Sequence, residues 1–194
     1  TAHTYALAPN DHTGSTRTWS WVSGPDNTPT FSDATNPAST VTVDYYGTYV
    51  FQWTETNGNC TRSDQVTVDF NEDPDGLSAG TDITATCDAL TTTLGATAHT
   101  YAIAPNDHTG STRTWSWVSG PDNTPAFSDA TNPASTVTVD YYGTYVFQWT
   151  ETNGNCTRSD QVTVDFNEDP DGLSAGTDIT ATCDALTTTL GATA

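Results

Sequence analysis

Lysine is absent from this chain, and four arginines stand against 24 acidic residues, giving a formal net charge of −20. So little positive charge excludes recognition through phosphates, because nucleic acid and anionic membrane surfaces are repelled. Long apolar runs are missing as well. No stretch approaches the roughly 18 apolar residues that a membrane-spanning helix needs, and no signal peptide is visible, though an internal window of a longer chain would not show one. Cysteine is scarce, with four residues and no C-x-x-C spacing, so neither a zinc knuckle nor a dithiol redox motif is present. Helical periodicity is nowhere sustained. No Ser-His-Asp order, paired carboxylates in an apolar pocket or phosphate-cradling glycine loop is visible, so no active site is expected inside this sequence.

What the chain does have is a repeat. Residues 1–96 and 97–192 match position for position except at Leu7/Ile103 and Thr30/Ala126, and Thr193-Ala194 begin a third copy. A period of that length is one small domain, far longer than a solenoid unit. The acids are spread along the chain, which suits contact with cations or solubility at high salt and argues against an acidic tail. Aromatic residues make up 10%, enough to build folded cores.

Short β-rich runs recur between turn signals. In the second copy Thr81–Thr86 and Leu90–Ala98 read as a first pair of strands around Cys87-Asp88. Thr112–Val118 alternates Trp115 and Trp117 with polar residues. Gly120-Pro121-Asp122-Asn123 reads as a turn, Ala126–Ser128 as a short edge strand, and Ser135–Val139 points Val137 and Val139 inward. Gly143–Thr152 and Arg158–Phe166 form a hairpin about Asn153-Gly154-Asn155. About seven strands with turns every 8–12 residues predict an all-β, immunoglobulin-like sandwich. Asp140–Phe147 (DYYGTYVF) is similar to a tyrosine corner with one inserted residue and Phe in place of Cys. The expected core residues are Trp115, Tyr145 and Phe147, with Trp19, Tyr49 and Phe51 in the first copy. The polar segment Asp165–Gly172, repeated as Asp69–Gly76, reads as the domain boundary. That places a complete domain at 79–174, a domain lacking its first two strands at 1–78, and the first two strands of a further domain at 175–194. The tail of one copy is then expected to complete the head of the next, by a continuous chain or by strand donation.

The whole period resembles the PKD/immunoglobulin-like tandem repeats of giant Bacteroidota surface adhesins, the SprB-like gliding-motility family exported by the type 9 system. The residues carrying this are Ala175-Gly-Thr-Asp178, Leu186–Leu190, Trp115–Pro121, Phe127–Pro133, Thr136–Val139, Tyr142–Glu151 and Asn153–Thr157. The resemblance implies extracellular filaments at the cell surface, repeats without enzymatic activity, further copies end to end as partners, and adhesion to a polysaccharide or substratum. The absence of Lys and the near identity of neighbouring copies depart from that pattern; a marine or halophilic source accounts for the acidity.

Candidate chemistry within the repeat is sparse. Asp69, Asn71, Asp73 and Asp75, and their equivalents Asp165, Asn167, Asp169 and Asp171, alternate along the boundary segments as a possible set of oxygen ligands for Ca²⁺. A solvated acidic spacer is the plain reading of the same residues. His99 and His108, with His3 and His12 in the first copy, are a weaker metal pair, and exposed loop histidines are far commoner. Asn59 and Asn155 sit in N-C-T acceptor patterns that a central Cys makes poor. Cys87 and Cys156 are disulfide candidates within one domain, with Cys60 and Cys183 paired outside the sequence. The alternative is a bond between neighbouring domains, which applies if the two turns lie at opposite ends of the sandwich. Two rival functions stay open beside the adhesin rod. One is a carbohydrate-binding module, needing an exposed pair of rings such as Trp115 or Trp149 with Tyr141. The other is a calcium-stiffened extender of an ice- or surface-binding adhesin.

Overall fold

A computed structural model describes residues 14–102, 105–121, 124–181 and 183–193. No described residue is helical. Contacts gather the chain into two compact units, one of Thr1–Ser78, Thr97–Thr114 and Trp149–Asp160, the other of Ala79–Ala96, Trp115–Gln148 and Gln161–Ala194.

The first copy supplies β1 (Thr16–Ser23), β2 (Thr30–Phe31), β3 (Val41–Thr42), β4 (Gly47–Asn57) and β5 (Cys60–Phe70). They form a sheet of order β1-β4-β5 and a ribbon β2-β3. The β4–β5 ladder runs without a break from Gly47 opposite Phe70 to Asn57 opposite Cys60. β-Branched and aromatic residues at alternate positions suit this ladder, because each buried ring meets a neighbour on the same face. Tyr49 and Phe51 stack at 5.8 Å, and Phe70 meets Tyr49 edge-on at 5.5 Å.

The second copy supplies β6 (Ile83–Thr84), β7 (Thr91–Thr93), β8 (Thr112–Ser119), β9 (Ala126–Phe127), β10 (Thr136–Thr138), β11 (Gly143–Asn153) and β12 (Cys156–Phe166). The sheets have orders β6-β12-β11-β8 and β7-β10-β9. This is an immunoglobulin-like sandwich in which the first strand lies parallel to the last, Ile83 opposite Val164, rather than beside the second. Val137, Val139, Val162, Val164 and Phe166 are buried between the sheets, with Leu94 closing one side.

Both corners are built as the sequence pattern predicts. The Tyr145 hydroxyl donates to the Tyr141 carbonyl at 2.9 Å, and Tyr49 does the same to Tyr45. In the first copy the Tyr49 oxygen also accepts from the Asp26 amide at 3.2 Å. Gly120 permits the close approach, since a β-carbon there would overlap the Tyr145 ring. Phe147 packs edge-on against Phe127 and stacks on Tyr145. Trp115 is buried, whereas Trp117 is partly exposed. Trp19, placed in the core by the sequence, is only half-buried. Its indole nitrogen has no hydrogen-bond partner, while that of Trp115 donates to the Pro133 carbonyl.

The Cys87–Cys156 bond is not formed: all four cysteines are free thiols. The strand direction gives the reason. Cys156 opens β12, whereas Asp88, next to Cys87, bonds Asn167 just beyond its far end. Eleven residues of extended strand cover about 36 Å, against the roughly 7 Å that a disulfide tolerates.

Candidate functional site

The densest polar chemistry among the described residues surrounds the segment Asp69–Gly76, inside the first unit. Its alternate side chains do not converge. Asp69 accepts from the Thr48 hydroxyl at 2.7 Å, and Asn71 packs where a β-carbon on Gly154 would fall. Asp73 takes Arg158 in a fork, with Nε at 2.9 Å and Nη2 at 2.6 Å. Asp75 presents its carbonyl to His99 Nδ1 at 2.5 Å. The second segment is equally divided: Asp165 accepts from the Thr144 hydroxyl, the Asn167 carbonyl accepts from the Asp88 amide, the Asp169 amide donates to the Asp88 carboxylate at 2.7 Å, and the Asp171 amide donates to the Asp169 carbonyl. No group of three or more His, Cys, Asp or Glu among the described residues is placed to hold a metal ion.

Glu72, which the alternation pattern passes over, is the centre of the cluster. Its Oε1 lies 3.4 Å from His99 Nε2 and its Oε2 3.2 Å from His108 Nε2. Oε2 also accepts from the Ala102 amide at 3.1 Å. The carbonyl partners fix the tautomers. His99 Nδ1 faces the Asp75 carbonyl and His108 Nε2 the Ala102 carbonyl, so each of those nitrogens carries the hydrogen. Tyr101 stands between the imidazoles, 4.7 Å and 4.8 Å from them, and burial raises its hydroxyl above the ordinary tyrosine range, helped by the Glu151 charge. Behind them Glu151, fully buried, accepts from the Trp149 indole at 2.8 Å and from the His99 amide at 3.1 Å. Asn153 donates to the Glu72 carbonyl at 3.0 Å.

This arrangement joins two histidines to carboxylates and carbonyls. Its chemistry is that of a clamp: it fixes Glu72–Asp75 against residues 97–110 and 149–158. Glu72, Glu151 and Asn153 were not singled out by the sequence, because ligand spacing along a strand says nothing about which loop folds over it. The one available signal was the repeated His-x₈-His pair. His3 and His12 of the first copy lie outside the described residues.

The Asp side chains in D-x-T steps form a second theme. Asp33, Asp107 and Asp129 each accept from the hydroxyl and amide of the Thr two residues on, which holds their carboxyls below the ordinary aspartate value. Asp26 is lowered chiefly by the Thr28 amide. Asp73 is lowered by the Arg158 fork. The proposed sugar platform is not assembled, since Trp115 and Trp149 are buried and Tyr141 alone is exposed.

No family model and no curated protein matches the sequence. Among solved structures, a human KIAA0319 PKD domain is similar over 52% of this chain and 87% of that one, at 24% identity and a TM-score of 0.38. Drosophila N-cadherin EC1-3 is similar over 80% of this chain and 56% of that one, at 13% identity and a TM-score of 0.35. Domains 4 and 5 of the S-layer protein SbsC are similar over 81% and 74%, at 16% identity and a TM-score of 0.29. The fold assignment therefore rests on the strands of this chain: an all-β immunoglobulin-like sandwich, repeated in tandem.

Proposed function

We propose that this chain is a non-enzymatic repeat from the rod or filament of an extracellular bacterial surface adhesin, of the kind that serves adhesion or gliding. The single observation that carries the reading is that two nearly identical copies spend the rings of their central strands on their own interiors. Tyr49, Phe51, Trp115, Tyr145, Phe147 and Trp149 are buried and serve packing, while Trp21, Tyr45, Tyr46, Trp117 and Tyr141 are the rings left partly exposed. The segment that closes the first copy is held by an Arg158–Asp73 fork and the Glu72 clamp, as a load-bearing connection requires. High negative charge keeps separate copies apart and soluble outside the cell.

Stretching a single molecule tests it. Each repeat of 96 residues should unfold as one event that lengthens the chain by roughly 300 Å, with equal steps for both copies in an extended array. A gradual rise without steps, or binding of a polysaccharide that Tyr141→Ala abolishes, would favour the carbohydrate-binding reading instead.

A further inference from the structure

Four buried polar atoms in the clamp around Glu72 have no hydrogen-bond partner: His99 Nε2, His108 Nδ1, the Tyr101 hydroxyl and Glu151 Oε2. Burying such atoms is costly unless something balances them. His99 is the informative one. A neutral imidazole offers one N–H and one lone pair. The Asp75 carbonyl, 2.5 Å from Nδ1, takes the N–H. The lone pair of Nε2 is then left beside Glu72 Oε1, 3.4 Å away and itself an acceptor. Both side chains are largely buried, at 11% and 17% exposed, so water does little to separate them. His108 differs, because a single nitrogen meets both of its acceptors. Its Nε2 lies 2.9 Å from the Ala102 carbonyl and 3.2 Å from Glu72 Oε2, so one N–H serves both. The surrounding charges favour a cation at His99. Glu72, Asp73 and Asp75 face it from the closing segment, and Glu151 of β11 accepts from its amide. Tyr101 stands against its ring, with His108 beyond. Of the nearby arginines, Arg158 of β12 is spent on Asp73, while Arg113 of β8 acts, like Cys156, on Tyr101.

We propose that His99 is an imidazolium whenever this clamp is closed, so that the segment Glu72–Asp75 is pinned by a proton and released as pH rises. The second proton sits on Nε2 and turns a contact between two acceptors into an ion pair with Glu72. It belongs to His99 because Glu72 Oε2 already takes the Ala102 amide and the His108 N–H, a pattern that suits a carboxylate. His108 is a hydrogen-bonding partner that needs no charge. The sign follows from the proton count. The closed clamp holds one proton more than the open one, so acid favours closure and base favours opening, by up to about tenfold per pH unit. The lowered aspartates work in the other direction, since their contribution is lost towards acid. The segment that ends the first copy thus carries its own proton-operated catch. This inference stands on the geometry of the clamp and not on the adhesin reading.

Hydrogen exchange and nitrogen NMR of the imidazoles, on the full chain between about pH 5.5 and 8.5, test the proposal. The amides of Ala102 and His99 donate to Glu72 and Glu151 and report closure. Their protection, relative to the unstructured rate at each pH, should fall as pH rises, by up to about tenfold per unit. Wherever they are protected, both ring nitrogens of His99 should carry protons. Glu72→Gln supplies an N–H that a neutral His99 Nε2 can accept, so protection should persist and its pH dependence vanish. His108→Gln keeps a donor at that position and should leave the pH dependence in place. A slope that survives Glu72→Gln, a slope that His108→Gln removes, or a neutral His99 ring in the protected chain would overturn the proposal. Should either variant fail to fold, the ring-nitrogen spectrum of the unaltered chain decides alone. Stepwise unfolding under force would survive that failure.

Discussion

Tyr145 shows how one side chain fixes a local path. Its ring fills the core while its hydroxyl bonds the Tyr141 carbonyl four residues back, so the chain must turn before β11 begins. Tyr145→Phe keeps the ring and removes that bond, and should lower the urea-derived stability by about 1 kcal/mol. Glu151 presents the opposite balance, a fully buried carboxylate whose Oε2 has no hydrogen-bond partner. Glu151→Gln retains an acceptor for the Trp149 indole and should be tolerated within about 1 kcal/mol, whereas Glu151→Leu orphans that N–H and should cost about 2 kcal/mol. Equilibrium unfolding of the two variants separates charge from hydrogen bonding. The lowered aspartates set the acid response. Asp33, Asp73, Asp107 and Asp129 bind protons less readily folded than unfolded, so their contribution is complete above the ordinary aspartate value of 3.8. It disappears as pH falls through their lower folded values. Melting temperature should therefore hold down to about pH 4.5 and drop below it, and Arg158→Gln should flatten the part due to Asp73.

At the scale of elements, the two long hairpins offer a matched pair. Each turns through two residues, Gly58-Asn59 and Gly154-Asn155, with the glycine at φ 59° and 56°. A glycine leading a two-residue turn with positive φ is the primed arrangement that suits strand twist. A β-carbon at Gly58 meets open space, while at Gly154 it would overlap the Asn71 amide. Gly58→Ala should thus cost only the backbone strain, about 1 kcal/mol, and Gly154→Ala distinctly more, by thermal unfolding. β5 and β12 carry the same eleven residues and make the same point about packing. Val162→Ala should cost about 1.5–2.5 kcal/mol. Val66→Ala, at a side chain 43% exposed, should cost less than about 0.5 kcal/mol, since identical sequence in a different setting has different worth.

For the whole molecule, calcium is the discriminating ion. The alternate oxygens of Asp69–Asp75 are spent on Thr48, Arg158 and His99, so a chelator should leave the melting temperature unchanged to about 2 °C, as calorimetry can check. A fall beyond that would restore the calcium-stiffened extender. Much of the architecture was legible beforehand. The alternation in Gly143–Thr152, the DYYGTYVF corner and the Asn-Gly turn located their elements to within a residue or two, because strand period and turn chemistry are local properties. β6 and β7 proved far shorter than the runs Thr81–Thr86 and Leu90–Ala98 that announced them. Threonine-rich sequence favours extended backbone, but only the stretch that finds a partner strand joins a ladder.

The sequence by itself determined the repeat, the all-β class and the inward turn of Tyr49, Phe51, Tyr145 and Phe147, since periodicity and side-chain shape act within a few residues. Tertiary structure alone decided that Glu72 meets His99 and His108, that Cys87 and Cys156 lie a strand's length apart, and that Val66 and Val162 differ in burial. Those outcomes depend on which distant segment comes to lie alongside, and identical residues carry no record of their neighbours.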